Sequence, residues 1–247
     1  MRSINRMLDR LICALGFLTI LPLGRTARFD AMGMIAFFPV VGIIIGALVS
    51  SADMVFSLVF PAPVAGLLDV ILLAALTGAL HIDGLGDSAD GIFSHRPREK
   101  ALAIMKDSRV GAMGMVVVGC VLALKWSCLT GLDAHRHLII IVVPAYARSA
   151  MIFAIGRLPY GRPDGGTGHG LFEKPLKMGD YAGLAIPVGL SLFLGWQGLL
   201  LNLAFITMTM GLIAFYRKKM GCVTGDMLGA MTEILEATLL LAVLVGV

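Results

Sequence analysis

Long apolar runs separated by short polar segments dominate the chain. Runs at about 31–50, 64–80, 110–132, 138–156, 181–196, 199–216 and 227–247 each approach the roughly 20 residues a helix needs to cross about 30 Å of hydrocarbon. The pattern predicts an all-α, polytopic transmembrane helix bundle of about seven spans. The stretch 54–63 is apolar as well, but Pro61 and Pro63 break it. Leu11 to Leu23 covers only 13 residues and follows Arg2, Arg6 and Arg10. Because Gly24-Arg25-Thr26-Ala27-Arg28 offers no small-x-small cleavage site, an N-terminal interfacial or re-entrant helix is expected there.

Composition strengthens the membrane reading. Of 247 residues, 58% are apolar, or about 68% once Gly is counted and Tyr dropped, against roughly 45–50% for soluble domains. Charged residues make up 15%, too few to cover a water-facing surface, and the mean hydropathy of +0.90 excludes disorder. Residues 1–247 are therefore expected to form a single integral-membrane domain. Cys13, Cys120, Cys128 and Cys222 contain no CxxC pair, so neither a disulfide framework nor a zinc site is expected.

The formal charge of +4 is small, and no nucleic-acid partner is expected. Its placement is informative. If the first apolar stretch does not cross and the seven later ones do, segments 1–30, 81–109, 157–180 and 217–226 share one face and hold 17 of the 20 Lys and Arg residues. Short basic loops stay on the cytoplasmic side, so that face is expected to be cytoplasmic and to carry the chemistry in 81–109, 157–180 and 217–226. Gly42 and Gly46, four apart, permit close helix packing within the chain or between copies, leaving a homo-oligomer open.

Polar residues collect in three segments on that face. In His81-Ile82-Asp83-Gly84-Leu85-Gly86-Asp87-Ser88-Ala89-Asp90-Gly91, the carboxylates are spaced four and three, one stripe of a helix. Like charges so placed repel, and a hard cation such as Mg²⁺ or Mn²⁺, shared with substrate phosphates, would offset them. His81 is a candidate ligand or base. Next, Arg96-Pro97-Arg98 through Arg109 reads as a short helix lying on the membrane surface, carrying Arg98, Lys106 and Arg109 toward phosphates. The segment Arg162-Pro163-Asp164-Gly165-Gly166-Thr167-Gly168-His169-Gly170 has the glycine content to expose backbone N–H groups to an anion. Finally, Thr224-Gly225-Asp226 leads into a span containing Glu233 and Glu236, with Lys125 and Arg148 inside other spans. Ionisable groups within spans are functional candidates, and Arg148 serves either as counter-ion to Glu233 or Glu236 or as a substrate contact.

These motifs resemble those of the cobalamin synthase family, the adenosylcobinamide-GDP ribazoletransferases. The resemblance rests on His81 to Gly91 with Ile104-Met105-Lys106-Asp107-Ser108-Arg109-Val110-Gly111, and it continues at Lys125, Arg148, Arg162-Pro163, Val223 to Ala230 and Glu233. It spans nearly the full chain. The family's glycine loop continues Arg-Pro with Glu-Gly-Leu-Gly, where this chain has Asp164-Gly165-Gly166-Thr167-Gly168. The resemblance implies a multi-pass enzyme of the bacterial or archaeal cytoplasmic (inner) membrane. Such an enzyme joins adenosylcobinamide-GDP to α-ribazole or its 5′-phosphate, with Mg²⁺ as cofactor, and releases GMP. It implies metal binding at Asp83, Asp87 and Asp90, with catalysis there and at His81. Substrate binding is expected at Arg98, Lys106, Asp107, Arg109, Arg148, Arg162, Thr224, Asp226 and Glu233, with Asp226 either completing the metal shell or orienting the ribazole, and Asp83 or His81 is expected to be the base.

Two other readings compete. A CDP-alcohol phosphotransferase would share Asp87-x-x-Asp90-Gly91, but Ser94-His95 replaces its Ala-Arg and its later Gly-Asp-Asp element is missing. A secondary transporter would spread charges near the midplane of several spans and commonly carries an internal repeat, and none is evident here.

Overall fold

The computed structural model describes residues 2–24, 29–107, 109–162, 165, 166 and 168–245, with side chains from Asn5 onward. Arg25 and Arg28 of the first basic segment, Ser108 of the second motif, and Pro163, Asp164 and Thr167 of the glycine loop lie outside the described residues. The fold is all-helical. Its helices are α1 (Arg2–Leu18), α2 (Ala31–Met34), α3 (Phe38–Val59), α4 (Ala62–Leu76), α5 (Leu80–Ile92), α6 (Arg98–Ile104), α7 (Ala112–Thr130), α8 (Arg136–Arg157), α9 (Ala185–Ser191), α10 (Trp196–Lys219) and α11 (Gly225–Ala242). Short 3-10 turns join α2 to α3 and flank α9.

Helix α8 is the axis of the bundle, buried along almost all of its length. Helix α3 lies along it through Gly42 and Gly46. A Cβ on Gly42 would come within 2.5 Å of the Pro144 carbonyl, and one on Gly46 within 2.5 Å of the Ile141 carbonyl. The two small residues thus serve packing within the chain. Pro144 has no N–H to give the carbonyl one turn back, and it is tolerated here by the tight apposition of α3. The break expected at Pro61 and Pro63 falls between α3 and α4, and the two prolines open α4, where a missing N–H costs nothing.

Among the described residues, four helices are long and apolar enough to cross a membrane: Ala31–Val59, α7, α8 and α10. A fifth crossing arises if α4 and α5, bent by 88°, count as one. Seven spans were expected. The run near 181–196 is a short helix of mixed 3-10 and α turns, and α11 carries Asp226, Glu233 and Glu236, so neither qualifies by length and composition. Leu199, Leu203, Ile206 and Met210 form an exposed stripe along α10, unsuited to water and suited to lipid. Helix α1 is not among the crossings. It buries Ala14 and Leu18, and Arg10 pairs with Asp30 at 2.9 Å, fastening α1 to the start of α2.

Candidate functional site

The α4–α5 bend brings the acidic motif onto α11. Gly78 and Ala79 turn through left-handed backbone (φ 59° and 57°), and α5 starts at once. Gly84 lets the backbone of Asp226 approach, since a Cβ there would lie 2.7 Å from the Asp226 carbonyl oxygen. Gly229 of α11 does the same for His81, with a Cβ 3.1 Å from its Cα. His81, Gly84, Leu85 and Ser88 face inward, while Asp83 is exposed and Asp87 and Asp90 are half-buried.

The three carboxylates of this stripe differ in employment. Asp90 accepts from the Gly111 N–H at 2.7 Å and the Gly114 N–H at 2.8 Å, so both oxygens hold the N-terminus of α7. The side chains of Asp83 and Asp87 have no hydrogen bond or ion pair among the described residues. Hence the expected three-carboxylate set reduces to a free pair, with Asp90 positioning the next helix. Among the described residues no group of three or more His, Cys, Asp or Glu stands ready to hold a metal ion by itself.

A second construction fixes Arg162 opposite. The Val223 N–H donates to the Pro159 carbonyl and the Gly161 N–H to the Val223 carbonyl, both at 2.9 Å, clipping the chain after α8 to the chain before α11. Arg162 then donates to Asp226 at 2.5 Å and to the Met105 carbonyl at 3.2 Å. That second bond ties the end of α6 to the site. Thr224 is fully buried and caps α11 by accepting the Met227 N–H at 3.2 Å, which gives this expected substrate contact a structural task. Arg109 is 87% exposed and donates to Asp107 at 2.5 Å, which together with a backbone N–H holds the Asp107 carboxyl down at about 2. Lys106 and Arg98 are exposed, and neither lines the cleft described next.

His81, Asp83, Arg162 and Asp226 line one cleft of about 590 Å³, open mouth included. Its other wall is apolar: Phe17, Leu18, Leu80, Met151, Leu171 and Leu228. Tyr160 also lines it, packed against His169 and Phe172 at ring separations of 5.9 and 4.9 Å. Nothing local in sequence marks these residues, because five separated stretches supply the apolar wall.

Arg148 and Glu233, expected to touch substrate, lie instead in a buried ion cluster. Lys125 donates to Glu233 at 2.6 Å and to Glu236 at 2.5 Å, while Arg148 pairs with Glu236 and donates to the Pro144 carbonyl. Of the two roles open to Arg148, the structure gives it that of counter-ion. His81 connects this cluster to the cleft, its Nδ1 lying 3.4 Å from Arg148 Nη2. A second buried cluster, unforeseen in sequence, sits at the other end of α8. There Arg136 donates to Asp53 at 2.7 Å and to Asp69 at 2.9 Å.

Residues 10–244 match the family model described as cobalamin-5-phosphate synthase. An adenosylcobinamide-GDP ribazoletransferase of Desulforamulus reducens is 36% identical over 244 residues, covering 97% of this chain and 98% of that protein. One from Chlorobaculum tepidum is 37% identical, covering 94% and 93%, and one from Roseiflexus is 34% identical, covering 92% and 86%. No solved structure matches the chain.

Proposed function

Since the chain belongs to the cobalamin-5-phosphate synthase family, we propose that it acts as an adenosylcobinamide-GDP ribazoletransferase, at the cytoplasmic face of the membrane. The observation that carries this reading is the meeting of unpaired carboxylates, Asp83 and Asp87, with the phosphate-binding chemistry of Arg162 beside one half-apolar cleft. A ribose hydroxyl of ribazole, or of its 5′-phosphate, attacks the phosphorus attached to the cobinamide arm. The new O–P bond forms as the bond to GMP breaks, and the hydroxyl proton passes to a carboxylate oxygen of Asp83, which lines the cleft. Arg162 holds phosphate oxygens in a charged, partly buried setting, its direction set by Asp226 and the Met105 carbonyl. Lys106 and Arg109, which follow Met105 in the chain, add positive charge toward the substrate phosphates.

The donor set fits a hard divalent cation, because two unpaired carboxylates on successive turns are a typical protein share of a site completed by phosphate oxygens. Asp83 and Asp87 would hold Mg²⁺, which when bound neutralises charge on the diphosphate. The concentration of Lys and Arg in the segments at this end supports a cytoplasmic orientation, since short basic loops are retained on that side.

The test is GMP release by the purified protein in lipid nanodiscs. Release is expected only with both substrates present and is expected to depend on Mg²⁺. Asp87→Asn should lower turnover by about a thousandfold or more while the protein stays folded and inserted. Near-normal Mg²⁺-dependent turnover in that variant would remove Asp87 from the metal site, and no release by the native chain would refute the transferase reading.

A further inference from the structure

His81 entered the site as a base or a ligand, and its neighbour decides between those roles and a third. Arg148 Nη2 lies 3.4 Å from His81 Nδ1. A guanidinium only donates, so Nδ1 must present its lone pair, and the single proton of the neutral ring resides on Nε2. Arg148 is not free to turn away. Its Nη1 is committed to Glu236 and to the Pro144 carbonyl at 3.3 Å, and Glu236 is gripped in turn by Lys125 at 2.5 Å. The chain Lys125–Glu236–Arg148 therefore fixes the tautomer of His81.

The proton so placed finds no acceptor among the described residues. His81 is 1% exposed, and Nε2 is buried without a hydrogen-bond partner among the described residues. An orphaned buried donor is costly unless something else satisfies it. His81 lines the cleft together with the apolar wall of Phe17, Leu18, Met151 and Leu228. Such surroundings suit a flat ligand with a large apolar face and one acceptor atom. We propose that His81 is a hydrogen-bond donor and not the base. With the apolar wall, it receives the heterocyclic base of ribazole through the ring nitrogen that is not bonded to ribose. This rests on the ribazole-transfer reading and adds the location and polarity of the nucleoside subsite. Guanine and the adenine of the adenosyl group, the other flat bases on offer, each carry several donors and acceptors that this wall leaves unpaired, so they are rejected. Lys125, Glu236 and Arg148 are positioning residues that act through His81.

The experiment measures binding to the full-length protein in nanodiscs by calorimetry. The ligands are α-ribazole, an indole riboside in which that ring nitrogen is replaced by C–H, and GMP. The native protein is expected to bind α-ribazole about ten- to a hundredfold more tightly than the indole riboside. His81→Leu should abolish the preference, and His81→Gln, which keeps an N–H donor, should restore part of it. The native protein's discrimination between the two ribosides is informative even where a variant fails to fold. Equal binding of the two ribosides would overturn the proposal, as would competition by GMP for the ribazole site. A thousandfold fall in kcat at saturating ribazole in His81→Leu, with KM unchanged, would make His81 the base and overturn it too. Failure of the native protein to release GMP from both substrates would instead refute the reading beneath. Intact GMP release without discrimination between the ribosides would refute the His81 assignment alone.

Discussion

Two clusters of buried charge lie twelve residues apart on α8, about 18 Å along the helix, and they use the same chemistry to different ends. At the far end, Arg136 holds Asp53 of α3 and Asp69 of α4 and also donates to the Leu129 and Leu132 carbonyls at the end of α7. One cation there faces two carboxylates, with His137 Nδ1 3.6 Å from Asp53. Near the cleft, two cations face two carboxylates, and Arg148 also reaches His81. The far cluster staples four helices together and touches nothing in the cleft. The near cluster staples helices as well, but one of its members orients a side chain that lines the site. Burial makes both expensive to disturb, and only their positions tell which one matters to catalysis.

The largest expected effect comes from removing one cation from each. Arg136→Leu leaves Asp53 and Asp69 without their guanidinium and Arg148→Leu leaves Glu233 and Glu236 sharing Lys125 alone, so each strands buried negative charge and should cost about 3–5 kcal/mol of stability. Thermal unfolding in nanodiscs measures that loss. Turnover per folded molecule then separates the two. Arg136→Leu should keep kcat and both KM values within about twofold, whereas Arg148→Leu should raise KM for ribazole about tenfold or more by freeing His81. A changed ribazole KM in Arg136→Leu would break the division between a structural and a site-supporting cluster.

The near cluster was legible in the sequence because Lys125, Arg148, Glu233 and Glu236 interrupt otherwise apolar runs. The far cluster was not. Asp53 falls in the part of α3 beyond the expected span 31–50, next to a stretch that two prolines made look irregular, and Asp69 is a single acid in a strongly apolar helix. Arg136 read as a loop residue, and its partners lie 83 and 67 positions away. The stripe of Asp83, Asp87 and Asp90 was readable from helical spacing, but not which of the three is free. Asp90 is occupied by N–H groups 21 and 24 residues on, a pairing that depends on how α6 and α7 return to α5. Thr224 carried its capping signal openly, a hydroxyl directly before a helix, yet the family motif drew it into the site. The apolar wall of the cleft has no periodicity to detect, since it exists only after α1, α5, α8 and α11 have met.

Replacing a whole cluster at once is expected to be milder and sharpens the contrast. Apolar residues of similar volume in place of a complete buried ion set are often neutral or stabilising. The triple variant Asp53→Leu, Asp69→Leu, Arg136→Met should therefore recover to within about 1–2 kcal/mol of the native protein and keep its ribazole KM. The matching replacement of Lys125, Arg148, Glu233 and Glu236 should recover stability but not ribazole affinity. Recovery of both would leave the near cluster with a structural role only. Below these lies Asp90→Ala, which frees the N-terminus of α7 and should cost about 1–2 kcal/mol. Its Mg²⁺ concentration for half-maximal turnover should be unchanged. A shift there would return Asp90 to the metal site.

The smallest effect is expected where the same pairing stands in water. Arg109 and Asp107 meet at 2.5 Å, as close as any pair in the buried clusters that Lys125 forms, yet Arg109 is 87% exposed. Water already solvates both charges, so separating them strands nothing. Arg109 beside Asp107 holds that carboxyl down at about 2, below its ordinary value. A carboxylate with a lowered folded-state pKa contributes whatever stability it has above its unfolded pKa and loses it as pH falls through about 2. Between pH 5 and 8 both states are ionised, so this pair imposes no pH dependence there. Asp107→Asn should leave the unfolding temperature unchanged across that range and at low and high salt, although KM for adenosylcobinamide-GDP can shift through the freed Arg109. If Asp107→Asn lowered the unfolding temperature as far as Arg136→Leu does, pairing itself and not burial would set the cost, and the contrast between the clusters would have to rest on something other than desolvation.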